Sequence, residues 1–397
     1  MTAPHTPTRF LDRHLGTTGA DLDTVLTRIG ARSLEDLAVR VVPATLPVLD
    51  LPQQPERPDA VGGGLSEDEA VGALRSLAAL NDPHTEMIWR VHHYARQAAA
   101  PIPLLSAAGA RTQRIEVGTG VIDMRYENPL YLAEEVAALD LLTDQRIAIG
   151  ISRGSPEQAR RGWETFGYAG GADPRGADVA HAHTAQFLDA VRGVPQADLD
   201  TSGGMAPGAS SRLRIEPHAP GVDRRLWWGA GSRETAEWTA RQGLNLMSST
   251  LLTEATGEGF SHLQAEQIRR YREAWKEAGH DWTSRVSVSR SIFPIVSETD
   301  RRFFALRGED SHDQIGVIDG LQSTFGRTYA AEPDVLIEQL TQDEALHAAD
   351  TVMLTIPSQL GVDFNLHILQ AFAEHVAPAL GWQPNTAGPV TGYSLEA

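Results

Sequence analysis

From about residue 87 onward, strand-length apolar runs alternate with helical stretches, and this rhythm constrains the chain more than any other feature. Strand signals fall at 88–94, 115–122, 147–151, 226–229, 244–248, 286–296 and 352–356. Helical periodicity falls at 103–111, 129–142, 234–242, 263–279, 334–342 and 365–380. Most of the strand runs are apolar throughout, as when both faces of a parallel sheet are covered. Alternating β and α elements predict an α/β fold, either a TIM-type (β/α)8 barrel or a doubly wound sheet. The doubly wound alternative lacks its dinucleotide fingerprint: Gly118-Thr-Gly120 follows a strand, but no third glycine opens a helix after it. A closed barrel needs eight strands and the pattern supplies seven. Either 39–42 or 46–51 supplies the eighth, or the barrel lacks its first strand and keeps two unpaired edges.

The first 81 residues have another character. Asp21 can cap a helix carrying Leu22, Val25, Leu26 and Ile29, with Gly30 as its stop. Ser33 caps a second over 34–41, and Ser66 with Glu69 forms a capping box for a third. Between them, 43–64 holds five prolines and a triple glycine and reads as loop. The expected organisation is a helical appendage over 1–81 and a barrel over 82–397, with a long Gly/Ala/Asp/Pro-rich insertion at 168–225. At the C-terminal side of a strand, such an insertion reads either as a lid or pocket wall or as a surface insertion.

Composition narrows the chemistry. Of 397 residues, 41% are hydrophobic, enough for a sizeable core. The chain has no cysteine, which excludes disulfides, thiolate nucleophiles and cysteine metal sites. A net charge of −18 argues against nucleic acid as a partner. Lys276 is the single lysine, so Schiff-base chemistry has one candidate. No apolar run approaches the roughly 20 residues that span a bilayer, and the N-terminus lacks a signal-type core; the expectation is a soluble cytoplasmic protein without membrane association.

Four constellations could carry chemistry. Val91-His92-His93-Tyr94 ends a strand, where side chains alternate and one histidine faces the barrel axis. It could act as acid, base or donor, or be a structural histidine. Gly150-Ile-Ser152-Arg153-Gly154 combines a hydroxyl, a guanidinium and glycines at a strand end, a pattern suited to a phosphate. Trp228-Gly-Ala-Gly231-Ser232-Arg-Glu-Thr235 ends a strand and opens a helix capped by Ser232, whose free amides favour an anion. Two such sites after neighbouring strands would converge on one dianion. His181-Ala-His183 has a spacing seen in metal sites, but on a helix these residues diverge, and they read as surface histidines with no metal.

An ordered series of motifs over about 84–397 resembles the bacterial luciferase-like family of flavin-dependent monooxygenases and oxidoreductases. It includes His92-His93, the run from Pro103 to Thr112, Arg114-Ile-Glu-Val-Gly-Thr-Gly120, Asn128-Pro129, Leu139-Asp-Leu-Leu142, Arg146 through Gly154, Phe166-Gly167, Gly229 through Trp238 and Asp350-Thr-Val-Met-Leu354. The resemblance implies a TIM-type barrel that binds reduced FMN at its C-terminal mouth. Arg153, with Ser152, and Ser232 would hold the flavin phosphate, assisted by backbone near Gly231 and the hydroxyl of Thr235. The peptide at Gly120-Val121 would lie beside the flavin ring, where the family often has a non-prolyl cis bond. His92 matches the family's catalytic histidine. Val91 departs from the acidic residue usual before the paired histidines, and the family's opening strand and helix are not recognisable.

Residues 1–81 resemble the N-terminus of the glycine cleavage system P-protein, through Phe10-Leu-Asp-Arg-His-Leu-Gly16, Ser33-Leu-Glu-Asp-Leu37 and Leu65-Ser-Glu-Asp-Glu-Ala70. That segment carries no lysine and implies no decarboxylase activity. The expected function is a flavin-dependent oxidoreductase, a luciferase-like monooxygenase acting with oxygen on a small organic substrate. A separate flavin reductase would supply the reduced flavin, and the family often forms homodimers. The alternatives are hydride transfer with 8-hydroxy-5-deazaflavin, or a non-catalytic fused chain with an incomplete barrel.

Overall fold

The computed structural model describes residues 20–33, 36–37, 40, 93–94, 97–98, 100–154, 161–200, 212–309, 311–318, 320–356, 360–384 and 393–394. The chain divides into two compact units, Met1–Asp82 and Pro83–Ala397. In the first, α1 (Ala20–Ile29) ends at Gly30, whose φ of 70° is left-handed, a conformation glycine adopts without cost. Asp21 lies inside the first turn of α1 rather than before it. Ser33 caps the following turn, its Oγ accepting from the Asp36 N–H at 3.1 Å.

The second unit is built on seven strands: β1 (Val117–Asp123), β2 (Ile147–Ser152), β3 (Leu226–Ala230), β4 (Asn245–Ser248), β5 (Val286–Pro294), β6 (Thr328–Ala331) and β7 (Thr351–Leu354). All their ladders are parallel, in the order β1-β2-β3-β4-β5, with β6 and β7 both pairing β5. Helices α2 (Pro101–Arg111), α3 (Pro129–Leu142), α4 (Ala177–Val191), α5 (Arg233–Gln242), α6 (Phe260–Ala278), α7 (Glu298–Glu309), α8 (Pro333–Thr341), α9 (Glu344–Ala348) and α10 (Val362–His375) intervene.

Their ends follow local chemistry. Asn128 caps α3 by accepting from the Leu130 and Tyr131 N–H groups at 3.0 and 3.1 Å, with Pro129 at the first helical position, where no donor is lost. Ile147, Ile149 and Ile151 of β2 point outward and are fully buried against the helices, with Phe187, Leu188 and Val191 of α4 in the same core. Each such side chain contributes about 1.5–3 kcal/mol.

The sheet is strongly curled. Glu116 precedes β1 and Arg285 precedes β5, four strands away in the ladder. A flat sheet would separate them by roughly 19 Å. Instead, Arg285 makes a bidentate ion pair with Glu116 at 2.8 and 3.0 Å, beneath the ring of Trp227 at 5.0 Å. The pair closes the N-terminal end of the interior. Among the described residues no ladder joins β7 back to β1.

Several expectations change here. β6 has no strand signal in the sequence, and the signal at 88–94 is described only at His93–Tyr94, which pairs antiparallel with Gln97–Ala98 instead of joining the parallel sheet. The remainder of that signal, the candidate strands 39–42 and 46–51, and the Ser66–Glu69 capping box lie outside the described residues, apart from Arg40. The stretch 168–225, expected as an insertion, holds α4, the crossover helix between β2 and β3. It therefore contributes core.

Candidate functional site

Alternation along the strands sorts the residues into two faces. The outer face is buried and mostly apolar, with Ser248 of β4 and Arg290 of β5 as polar exceptions bonded to α6. The inner face carries small residues: Gly118, Gly120 and Val121 from β1, Ala148, Gly150 and Ser152 from β2, Gly229 from β3, and Ser287, Ser289 and Ser291 from β5. Gly118 and Gly120 are exposed, and Val121, Ala148, Gly229, Ser289 and Ser291 are half-buried. The accessible side of this sheet is thus its concave interior.

Close approaches tie the inner face together. A Cβ on Gly229 would meet the Val121 Cγ1 at 3.1 Å and the Ser152 Cβ at 3.4 Å. A Cβ on Gly150 would meet the same Val121 methyl at 3.1 Å and the Met247 Cε at 3.0 Å. The glycines leave a cradle beside Val121 that larger residues would fill. The Gly120–Val121 peptide is cis, and the β1–β2 register shifts between Thr119 and Ile122. The Ser287 Oγ and the Trp227 Nε1 are buried and have no hydrogen-bond partner among the described residues.

At the C-terminal mouth, Ser152 ends β2 and its Oγ accepts from the Gly154 N–H at 2.7 Å, which shapes a tight turn around Arg153. Arg153 is half-buried. Gly154 has a φ of 84° and abuts the Asp123 carboxylate so closely that no Cβ fits. Asp123 in turn holds the buried Arg125, whose Nε donates at 3.0 Å and whose guanidinium lies 5.1 Å from the Trp163 ring. This Asp123–Arg125 brace fixes the turn from below.

The neighbouring mouth element is the N-terminus of α5. The Ser232 Oγ accepts from the Thr235 N–H at 3.1 Å and donates to the Thr235 Oγ1 at 2.9 Å. The Gly231 carbonyl accepts from the Thr253 N–H at 2.7 Å. Arg233 is engaged by two acids, donating from Nε to Glu254 at 2.7 Å and from Nη1 to Glu266 at 2.6 Å, and its backbone N–H reaches Glu254 at 3.2 Å. Burial disfavours the charged Glu266 carboxylate, but the bonds to Arg233 and Arg270 outweigh it and hold the group below the ordinary range. Part of the α5 amide donor set is therefore spent on protein groups.

Gly120, Val121 and Ser152 share the interior cradle, and Arg153, Gly231, Ser232 and Thr235 stand at adjacent strand ends. His92 lies outside the described residues. His183 sits on α4 with its Nδ1 2.7 Å from the Met124 carbonyl, and His181 stacks on Trp238 at 4.5 Å. Sequence reasoning missed Asp123, Arg125, Met247, Glu254 and the serine row of β5. The last had a signal, since Val-Ser-Val-Ser-Arg-Ser over 286–291 alternates with period two.

The profile of the luciferase-like monooxygenase family matches residues 61–343, and the chain belongs to that family. A flavin-dependent trigonelline monooxygenase oxygenase component from Acinetobacter baylyi is 24% identical over 268 residues, 65% of this chain and 66% of the relative. The FMN-bound oxygenating constituent of 3,6-diketocamphane monooxygenase from Pseudomonas putida superposes with a TM-score of 0.51 at 14% identity, covering 79% of this chain and 92% of that one. The TIM-type fold is shared with that structure. A glycine dehydrogenase (decarboxylating) from Photorhabdus laumondii is 34% identical over 79 residues, 20% of this chain and 8% of the relative, so that likeness is confined to a short part of the chain. The chain spans between 8% and 66% of the length of the curated relatives it matches. Among the described residues, no helix is long and apolar enough to cross a membrane.

Proposed function

We propose that this chain is the oxygenase of a flavin-dependent monooxygenase system, taking reduced FMN from a separate reductase and acting on a small organic substrate. The observation that carries this reading is the concave cradle of small residues around Val121, opening beside two phosphate-suited strand ends. A flat aromatic ring system needs such a surface. Bound reduced flavin supplies the electrons that activate oxygen.

The chain's own residues bind and orient the flavin. Arg153 and Ser232 hold the phosphate, with Ser152, the backbone at Gly231 and the Thr235 hydroxyl in support. Because Glu254 occupies part of the α5 N-terminus and Arg233 is neutralised by two acids, the charge of the phosphate falls to Arg153. Gly120 and Val121 line the ring-binding wall. His92 handles the proton at the reacting edge.

Flavin fluorescence titration tests this. Arg153→Ala is expected to weaken FMN binding about ten- to a hundredfold, the loss of a charge-assisted contact, while Ser232→Ala weakens it less. His92→Ala is expected to keep FMN affinity and lose turnover. Preference for 8-hydroxy-5-deazaflavin over FMN would turn the reading to hydride transfer, and binding of neither would mark a non-catalytic chain.

A further inference from the structure

A buried line of hydrogen bonds runs outside the sheet, from β5 to the N-terminus of α5. It begins at Asp343, which accepts from the Arg290 Nε and Nη2 at 2.7 and 2.8 Å. The Arg290 Nη1 donates to the Gln264 Oε1 at 2.7 Å. The Gln264 Nε2 donates to the Ser248 Oγ at 2.7 Å, and that hydroxyl donates to the Gln267 Oε1 at 2.5 Å. The Gln267 Nε2 then donates to the carbonyls of Ala230 and Ser232 at 3.2 and 3.0 Å. Ser248, Gln264 and Gln267 are fully buried. Spaced three apart on α6, the two glutamines share the helix face that meets the sheet.

The chemistry of the groups gives this line one polarity. A guanidinium only donates, so the side-chain oxygen of Gln264 faces Arg290 and its NH2 faces Ser248. The Ser248 hydroxyl already accepts from Gln264, so its one proton goes to the oxygen of Gln267. That leaves the Gln267 NH2 turned toward the backbone at the end of β3. The arginine that Asp343 holds thus decides the rotation of a distant amide.

The two carbonyls that Gln267 holds lie on either side of Gly231. The Gly231 carbonyl between them accepts from the Thr253 N–H at 2.7 Å and from the Thr253 Oγ1 at 2.9 Å. Successive peptide planes from Ala230 to Arg233 are therefore fixed by side chains and backbone outside the segment. In a trans peptide the N–H points opposite to the carbonyl, so the Gly231 N–H is turned away from Gln267. The Ser232 carbonyl also accepts from the Ala236 N–H at 3.1 Å, so the atom that Gln267 holds is the one that opens α5. Replacing a buried polar network by apolar residues of similar volume is often neutral or stabilising, so packing alone does not call for this one.

We infer that Gln267 is a positioning residue for the phosphate end of the flavin, fixing the backbone at Ala230–Ser232, with Arg290 setting the direction of its amide. The inference rests on the phosphate placement proposed above. Gln267 acts through Gly231 and Ser232 and touches no ligand itself. Its contribution is to order that segment before the phosphate arrives, so that binding does not have to bear the cost.

Titration of the full chain with FMN and with riboflavin, which lacks the phosphate, tests this. Gln267→Met is expected to weaken FMN binding about tenfold and to change riboflavin binding less than about twofold. Ser248→Ala removes only the hydroxyl that orients the Gln267 amide, and it serves if Gln267→Met fails to fold. It is expected to weaken FMN binding about threefold, again with riboflavin unchanged. Parallel losses for both flavins would mark a merely structural role and overturn the inference, as would unchanged FMN binding in whichever variant folds. A native chain that binds FMN no more tightly than riboflavin would overturn the phosphate placement itself, and the inference with it.

Discussion

At the residue scale, space at a few glycines decides whether the interior can receive a ring. Gly150 cannot change cheaply, because a Cβ there runs into the Thr119 backbone carbonyl. Gly229 is the more informative position, since its nearest neighbours are a Val121 methyl at 3.1 Å and the Ser152 Cβ at 3.4 Å, which can yield by tenths of an ångström. Gly229→Ala is therefore expected to fold with a stability change within about 1 kcal/mol, yet to lower FMN affinity at least about tenfold. Chemical denaturation alongside flavin titration separates the two effects. The glycines themselves were legible in the sequence as turn and strand-end residues. Which of them face one another was not, because that depends on ladder register, and a slip of one residue would turn every inner side chain outward.

At the element scale, buried ion pairs anchor the helices to the sheet. Asp140 of α3 accepts from Arg225, just before β3, at 2.7 and 2.6 Å, with both side chains at least 96% buried. Asp140→Asn leaves a buried guanidinium without its counter-charge, and a loss of about 3–5 kcal/mol is expected in urea denaturation. Asp343 caps α9 and holds Arg290 of β5. Burial pushes its carboxyl up, but the Arg290 bonds and charge outweigh that and bring it below the usual range. The folded-state value is thus depressed relative to the unfolded one near ~3.9. The corresponding stability is present above that pH and drains away as pH falls through the folded-state value. Acid titration of the unfolding free energy is expected to show this decline in the native chain and a flatter curve in Asp343→Asn. Strand and helix positions from 101 onward were largely legible, because each wall element is apolar on its buried side. β6 was not, since Thr328-Tyr-Ala-Ala331 is short and mixed, and its pairing partner β5 alone makes it a strand. The crossover helix α4 was hidden by its alanine, histidine and aspartate content, which masks the buried row of Val179, Ala180, Phe187 and Leu188.

At the scale of the whole molecule, two boundaries compete. Compactness divides the chain after Asp82, whereas the family match begins at residue 61. Every described hydrophobic cluster draws its residues from Ile102 onward, so the larger unit has a core of its own. Sequence likeness to glycine dehydrogenase covers only a short part of the chain, and a segment with a foreign pattern has no family reason to shape a flavin pocket. Deletion of residues 1–60 removes most of the smaller unit and spares everything the family match covers. The shortened chain is expected to unfold in one cooperative transition and to bind FMN with the affinity of the full chain. Calorimetry and flavin titration on the two chains decide it. A collapse of the transition, or a loss of FMN binding with folding intact, would make the N-terminal segment a working part of the barrel rather than an appendage to it.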